Sequence, residues 1–319
     1  MSPPLNASPV TLIASALLPE ALADASAAER HIWQAALPSA QSLPAARVIA
    51  QSQVVARQVQ SPTAWNATHE HALAQAHGWS NPDGLLPLAA LAAHQRGLTC
   101  PSDQGWAFID VVHWAIQQGQ VHVHAPGQVS PAEDQALREA IAPYAHEDGI
   151  ALWPHTPGRW LAHARHFKQL PSVSVDQVMG RSAAHWLQTD EVAQQSPAQR
   201  VLRRLQNEMQ MLLYQHPVND HRQTTLNSFW WSGTGDWPVQ SINPEVHLHT
   251  ELQTHMAAQD PQAWGLAWHR LATDVMGPAL AAGHALVLCG EQRQIRLSGR
   301  HPRWWQRWLS PKPLHQVLA

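Results

Sequence analysis

The stretch that decides the reading is residues 216–235, HPVNDHRQTTLNSFWWSGTG. Pro217 cannot continue a helix, because it lacks an N–H and its ring clashes with the preceding turn. A helix therefore ends just before it. Val201, Leu202, Leu205, Met209, Leu212 and Leu213 recur at spacings of three and four and give that helix one apolar face. Ser196-Pro197-Ala198-Gln199 opens it: Ser196 as cap, Pro197 at the first helical position, Gln199 placed to reach back. Beyond the break, residues 229–231 (Phe-Trp-Trp) form a short apolar run, read as a strand that feeds a loop at Gly233 and Gly235. Glycines let backbone N–H groups approach an anion. A plain turn satisfies the same pattern.

Working toward the N-terminus, residues 150–153 and 160–164 read as a strand pair around the turn Thr156-Pro157-Gly158. Ser130-Pro131-Ala132-Glu133 is a second helix start with the ingredients of a capping box, and its helix should reach about Tyr144. Residues 107–113 and 120–125 have strand character. Residues 68–78 and 85–96 read as helices, with Gly97 as a stop. Residues 21–36 and 43–53 are also helical in character, and the polar residues 51–62 read as a connector. The continuous apolar run over residues 10–18 suits a parallel strand covered on both faces. Alternation of strands and helices places the chain in the α/β class.

The composition bounds what this fold can do. The 319 residues carry 20 basic and 23 acidic side chains, a net charge of −3, which gives no electrostatic case for binding nucleic acid or a membrane surface. Apolar residues make up 45%, enough for a sizeable core. Two cysteines, Cys100 and Cys289, exclude a disulfide framework and a zinc ribbon. No apolar run reaches the roughly 18–20 residues of a membrane span. Residues 10–18 are short and have no basic residue before them, so no signal peptide is read and the cytoplasm is the expected compartment. Lysine occurs only at 168 and 312, while histidine numbers 22. Much of that histidine takes the place of lysine and glutamate on a solvated surface.

The run Asn207-Glu208-Met209-Gln210-Met211-Leu212-Leu213, then His216-Pro217-Val218-Asn219, Arg222 and Asn227-Ser228-Phe229-Trp230-Trp231-Ser232-Gly233-Thr234-Gly235, closely resembles the RpfE-type regulatory proteins of proteobacteria. These are similar in turn to archaeal-type cofactor-independent phosphoglycerate mutases, which share an HPVN…R…AN…WGxG pattern in the same order. Residues 130–160 resemble the mutase segment of capped helix, strand and arginine, with Arg159 as that arginine. Residues 171–181 resemble the mutase segment TPPHD…G without its His-Asp pair. The resemblance covers residues 107–238 well and both ends loosely.

What the resemblance implies is a degenerate alkaline phosphatase/phosphoglycerate mutase-like sheet with helices on both faces. The expected core is residues 1–106 and 181–319, with residues 107–180 as a smaller inserted α+β layer. Mutases of this type hold two divalent metals at strand ends. Here the first strand ends Ala14-Ser15-Ala16-Leu17-Leu18 without a carboxylate, and a late one ends Cys289-Gly290-Glu291-Gln292 with Glu291 alone. A pair of metals needs several converging carboxylates and imidazoles, so no cofactor and no catalytic residue are expected. The substrate-holding residues survive: His216, Asn219, Arg222, Asn227, Ser228, Gly233, Gly235 and Arg159 form the expected binding set for a small anionic, phosphorylated metabolite, arginine gripping the anion and asparagine fixing its orientation.

Structural readings of the same residues stand beside this one. Asn219 can cap and turn the chain, Asn227 can bond backbone in a loop, and Arg222 can pair with Glu208 or Asp220. A working metal-dependent mutase or phosphatase using Asp24, Asp103, Asp110, Asp274 and histidines is the alternative. His122-Val123-His124 with His113, and likewise His247-Leu248-His249, suit either a transition-metal site or a half-exposed strand. The basic, aromatic stretch Arg300-His301-Pro302-Arg303-Trp304-Trp305-Gln306-Arg307-Trp308 suits either docking into the core or a protein partner.

Overall fold

The computed structural model describes residues 9–187, 196–235, 242–299 and 312–318. It is an α/β protein with two sheets, divided into two compact units. Unit 1 comprises residues 1–62, 67–80 and 240–319, and unit 2 comprises 63–66 and 81–239. In chain order the elements are β1 (Val10–Ile13), α1 (Ala27–Ala36), α2 (Pro44–Gln51), β2 (Gln53–Val59), α3 (Thr68–His77), α4 (Leu88–Gln95), β3 (Gly105–Gln117), β4 (Gln120–His124), α5 (Pro131–Glu147), β5 (Ala151–Thr156) and β6 (Arg159–Ala164). Then follow α6 (Val175–Val178), α7 (Pro197–Tyr214), β7 (Ser228–Gly235), β8 (Val246–His249), α8 (Glu251–Ala257), α9 (Pro261–Leu271), α10 (Gly277–Ala281), β9 (Ala285–Cys289), β10 (Arg293–Ser298) and α11 (Leu314–Val317).

Unit 1 is built on a sheet of order β2-β10-β9-β1-β8. β1 lies in the middle, parallel to both β8 and β9, and all four of its residues are buried. The expectation of a doubly covered parallel strand holds, because a sheet with helices on both faces leaves no polar side. Ile13, Leu286, Leu288, Ile295 and Leu297 face a core completed by Trp33, Ile49, Trp264, Trp268 and Met276, from α1, α2, α9 and the π-helical turn Ala272–Met276. α3 packs on β1, β8, β9 and β10. The strand expected over residues 10–18 ends at Ile13. Ser15 turns the chain with φ 53°, and Ala14, Ala16 and Leu17 stay buried in the loop beyond it. The connector expected over residues 51–62 contains β2, an edge strand antiparallel to β10. Most of its side chains are exposed or half-buried, so its composition reads as polar loop.

Unit 2 is built on the long strand β3, which pairs antiparallel with β6 and β7 along its first half and with β4 along its second. β5 pairs β6 across the expected turn. α5 and α7 cover one face, packing Leu137, Ile141, Leu202, Leu205 and Met209 on Ile109, Val111, Trp160 and Phe229. α4 and residues 173–186 cover the other, around Val112, Val123, Val175 and Trp230. The inserted layer expected over residues 107–180 falls inside this unit. The unit extends further on both sides because α4 before it, and α7 and β7 after it, pack on β3 and its core.

Two buried contacts lock unit 2. Ser130 and Glu133 form the full capping box at the start of α5. One turn in, the buried carboxylate of Asp134 accepts from Gly158 N at 2.8 Å, from the Trp160 indole at 2.7 Å and from Arg138 Nε at 3.0 Å. Three donors compensate its removal from water. The helix is thereby bolted to the β5–β6 turn. At α7, Pro197 stands at the first helical position as expected, but Ser196 makes no side-chain cap bond.

Candidate functional site

The residues expected to bind a ligand fall into three places. His216, Asn219 and Arg222 lie in the loop between α7 and β7, and all three are engaged in building it. His216 Nδ1 accepts from Val218 N at 3.2 Å. The Asn219 amide donates to the carbonyls of Leu213 at 2.8 Å and Leu226 at 3.0 Å, and its oxygen accepts from Leu226 N at 2.7 Å. Arg222 pairs with Glu133, Nη1 to Oε1 at 2.7 Å, and donates to the carbonyls of Pro126, Gln128 and Thr224. The partner of Arg222 is thus neither Glu208 nor Asp220. The backbone and side chain of Ser130, the Arg222 guanidinium among further causes, hold the Glu133 carboxyl below the usual range against a contrary desolvation.

Asn227 and Ser228 mark the start of β7. Asn227 bridges to β3, accepting from Trp114 N at 2.7 Å and donating to Trp114 O at 2.9 Å. Ser228 is fully buried and accepts from Gln210 Nε2 at 3.1 Å. Gly233 and Gly235 were expected in a loop, yet β7 runs through both. Close packing explains the glycines. A Cβ on Gly235 would lie 2.5 Å from the Leu85 carbonyl, and one on Gly233 would lie 2.8 Å from the Phe108 ring.

Arg159 stands elsewhere. Trp160 beside it faces α5, so the alternation of a strand sends Arg159 to the opposite face. There its Nε is 3.4 Å from Asp110 Oδ1 and its guanidinium lies 3.9 Å over the Phe108 ring. Burial, with the nearby charges of Arg159 and Arg96, pushes the His155 imidazole below its ordinary pKa. Arg159 and Arg222 therefore do not converge on one point.

What unit 2 does offer is a groove of about 520 Å³ beside α7, lined by Trp114, Leu170, Pro171, Leu187, Leu202 and Trp231 and by the polar helix residues Gln199, Arg200, Arg203, Gln206 and Asn207. A smaller cavity of about 60 Å³ adjoins it, sharing Pro171, Leu187, Gln206 and Trp231 and adding Trp65, Trp186 and Trp230. Three buried polar atoms of the lining have no hydrogen-bond partner among the described residues: the indole nitrogens of Trp114 and Trp186 and Oε1 of Gln199. An orphaned buried donor or acceptor is costly, and such atoms are satisfied by water or ligand. Sequence reading passed over Arg200, Arg203 and Gln206. Their signal is the polar side of α7, which opposes the apolar face that was read.

The strand ends of unit 1 were the other expected locus. Past the carboxyl end of β1 the loop carbonyl groups are taken up: the Trp264 indole donates to Ser15 O at 2.9 Å and the Trp268 indole to Ala16 O at 3.0 Å. β8 ends at His249, whose Nδ1 lies 3.3 Å from Glu251, and Glu291 beyond β9 accepts the Thr68 hydroxyl through its carbonyl. Within unit 1, among the described residues, no three His, Cys, Asp or Glu ligand atoms lie within 4.8 Å of one another. In unit 2, Asp103 and Asp110 each face an arginine. The stretch 300–308 lies outside the described residues. Among the described residues no helix is long and apolar enough to cross a membrane.

No family model matches the chain, and no curated protein matches it. Among solved structures it is similar to the PH0037 protein of Pyrococcus horikoshii, with a TM-score of 0.41 and 11% identity over 93% of this chain and 88% of that one. It is also similar to the cofactor-independent phosphoglycerate mutase of Thermoplasma acidophilum, with a TM-score of 0.31 and 11% identity over 91% and 89%. Both likenesses are weak and concern the course of the backbone.

Proposed function

We propose that this chain is a non-catalytic binding protein whose ligand is a small phosphorylated metabolite, held in the α7 groove of unit 2. The observation that carries the reading is the conjunction, in one groove of about 520 Å³, of Arg200 and Arg203 with the partnerless Trp114 indole nitrogen and Gln199 oxygen. The two guanidinium groups suit a phosphate, which arginine grips through paired N–H donors. Trp114 and Trp231 supply apolar surface for the rest of the molecule, and Trp114 Nε1 and Gln199 Oε1 fix its orientation. The loop of Asn219 and Arg222 holds the end of α7 against β7 and so shapes the groove without touching the ligand. A regulatory role follows if occupancy reports the concentration of that metabolite.

The reading as a non-enzyme is supported by the donor set at the strand ends of unit 1. Phosphoryl transfer needs an electrophilic clamp on the developing charge, and two indoles occupy the loop where carboxylates would be required. The test is titration with 3-phosphoglycerate, adenosine monophosphate and inorganic phosphate, followed by tryptophan fluorescence. Saturable binding that weakens at least about tenfold in Arg200→Ala/Arg203→Ala, roughly 1.4 kcal/mol, is expected. Flat titrations for all three, or binding unchanged in the double variant, overturn the groove. Manganese-dependent turnover of phosphoglycerate, abolished by a chelator, overturns the non-catalytic reading.

A further inference from the structure

The β3–β4 hairpin of unit 2 carries three histidines that the groove does not use. His113 on β3 pairs directly across the ladder with His124 on β4, and His122 lies two residues before His124. A strand puts residues i and i+2 on the same face, and a cross-strand pair shares that face too. All three imidazoles therefore project from one side of the hairpin. The rings of His113 and His124 are 6.3 Å apart between centres, and those of His122 and His124 are 6.2 Å apart and nearly parallel. All three residues are half-buried, which keeps the rings accessible from solvent.

Their protonation pattern is set by neighbours. His113 Nδ1 lies 3.0 Å from the Thr225 carbonyl. A carbonyl only accepts, so Nδ1 carries the proton and the lone pair sits on Nε2. That is the arrangement of a metal-ligating histidine, whose other ring nitrogen donates to a backbone carbonyl and fixes tautomer and ring orientation. The Gln117 side-chain amide stands 3.2 Å from His124 Nε2, a contact that takes up the lone pair there and must give way to a metal ion. His113 thus presents Nε2 as its donor atom. Tetrahedral coordination at about 2.1 Å from each nitrogen brings ring centres to roughly 5 Å. The three ligand atoms do not lie within 4.8 Å of one another in this arrangement, so side-chain torsions must close a gap of about 1 Å in each of these two pairs and bring His113 and His122 together.

We infer that His113, His122 and His124 form an open three-histidine site for a divalent transition metal such as zinc or copper. Imidazole nitrogen suits these ions, and three protein ligands leave a fourth position for water or an exogenous anion. The site is independent of the α7 groove and of any metal at the strand ends of unit 1.

The experiment is calorimetric titration of the full chain, stripped with chelator and dialysed, with zinc chloride. His247→Gln serves as control, because His247 and His249 repeat the His-x-His spacing on β8 without a third histidine on the neighbouring strand β1. One saturable equivalent is expected, weakened at least about tenfold by His124→Gln and by His122→Gln and unchanged in His247→Gln. Copper(II) electron paramagnetic resonance reads the ligands directly: three nitrogen couplings in the parent and two in His122→Gln are expected. Circular dichroism of each variant guards against loss of fold, and the two single variants provide separate routes to the same result. Absence of saturable binding overturns the site, as does zinc binding that falls equally in His247→Gln and His124→Gln, or a copper signal unaltered in His122→Gln.

Discussion

The buried carboxylate of Asp134 receives the indole N–H of the fully buried Trp160 at 2.7 Å, and this contact joins helix α5 to the sheet of unit 2. The same oxygen also accepts from Gly158 N, and the second oxygen holds Arg138. Asp134→Ala strands the indole and the turn amide in an apolar environment. A loss of about 3 kcal/mol is expected from the hydrogen bonds to a charged group. Urea unfolding of the variant against the parent measures it.

Arg222 and Glu133 give a pH-dependent contribution. The folded-state pKa of Glu133 lies below its unfolded value, through the Ser130 backbone and side chain first and Arg222 after them. The unfolded chain therefore binds the proton more readily. The contribution is fully present above the unfolded carboxylate pKa, about 4.3, and is lost as pH falls through the lower folded value. The unfolding midpoint should drop between about pH 5 and pH 3, with a shallower slope in Glu133→Gln. A slope unchanged by the substitution would show that other carboxylates govern acid unfolding.

Gly235→Ala tests whether the GxG of β7 serves packing. The added methyl would meet the Leu85 carbonyl and Pro87. Destabilisation of about 1–3 kcal/mol, the usual cost of overpacking, is expected. Thermal unfolding reads it, and phosphate-ligand titration of the surviving folded protein should be unaffected.

The indole of Trp268 donates to Ala16 O, deep in unit 1. Trp268→Phe keeps most of the apolar contact and removes the donor. The stranded carbonyl should cost about 1–3 kcal/mol. Stability equal to the parent would mean that water replaces the indole.

Much of the secondary structure was legible because local chemistry dictated it. Ser130-Pro131 and Glu133 gave the start of α5, Pro217 the end of α7, and Thr156-Pro157-Gly158 the β5–β6 turn. β2 was missed, since an edge strand with exposed side chains has the composition of a loop. The site was less legible. The compressed set of His216, Asn219, Arg222 and Asn227 reads equally as anion binder and as loop scaffold, and only the backbone groups facing each side chain separate the two. Those groups belong to residues as distant as Trp114 and Pro126, which no local pattern announces. The groove residues were hidden for a related reason: Arg200 and Gln206 acquire meaning only beside Trp114 and Trp231, brought close by the sheet.

The position of β1 between β8 and β9 has a consequence for synthesis. Val10 leaves the ribosome first among the strand residues but must wait for Val246 and Ala285 before either of its neighbours exists. The sheet of unit 2, whose strands lie between residues 105 and 235, is complete in the chain just before β8 and well before β9. Long-range parallel pairing is slow because loop closure precedes any gain in contacts. The sequence order thus lets the unit 2 sheet pair before β9 is made, while the apolar strand β1 still lacks one of its two neighbours. An apolar strand without its partners is exposed to aggregation during that interval.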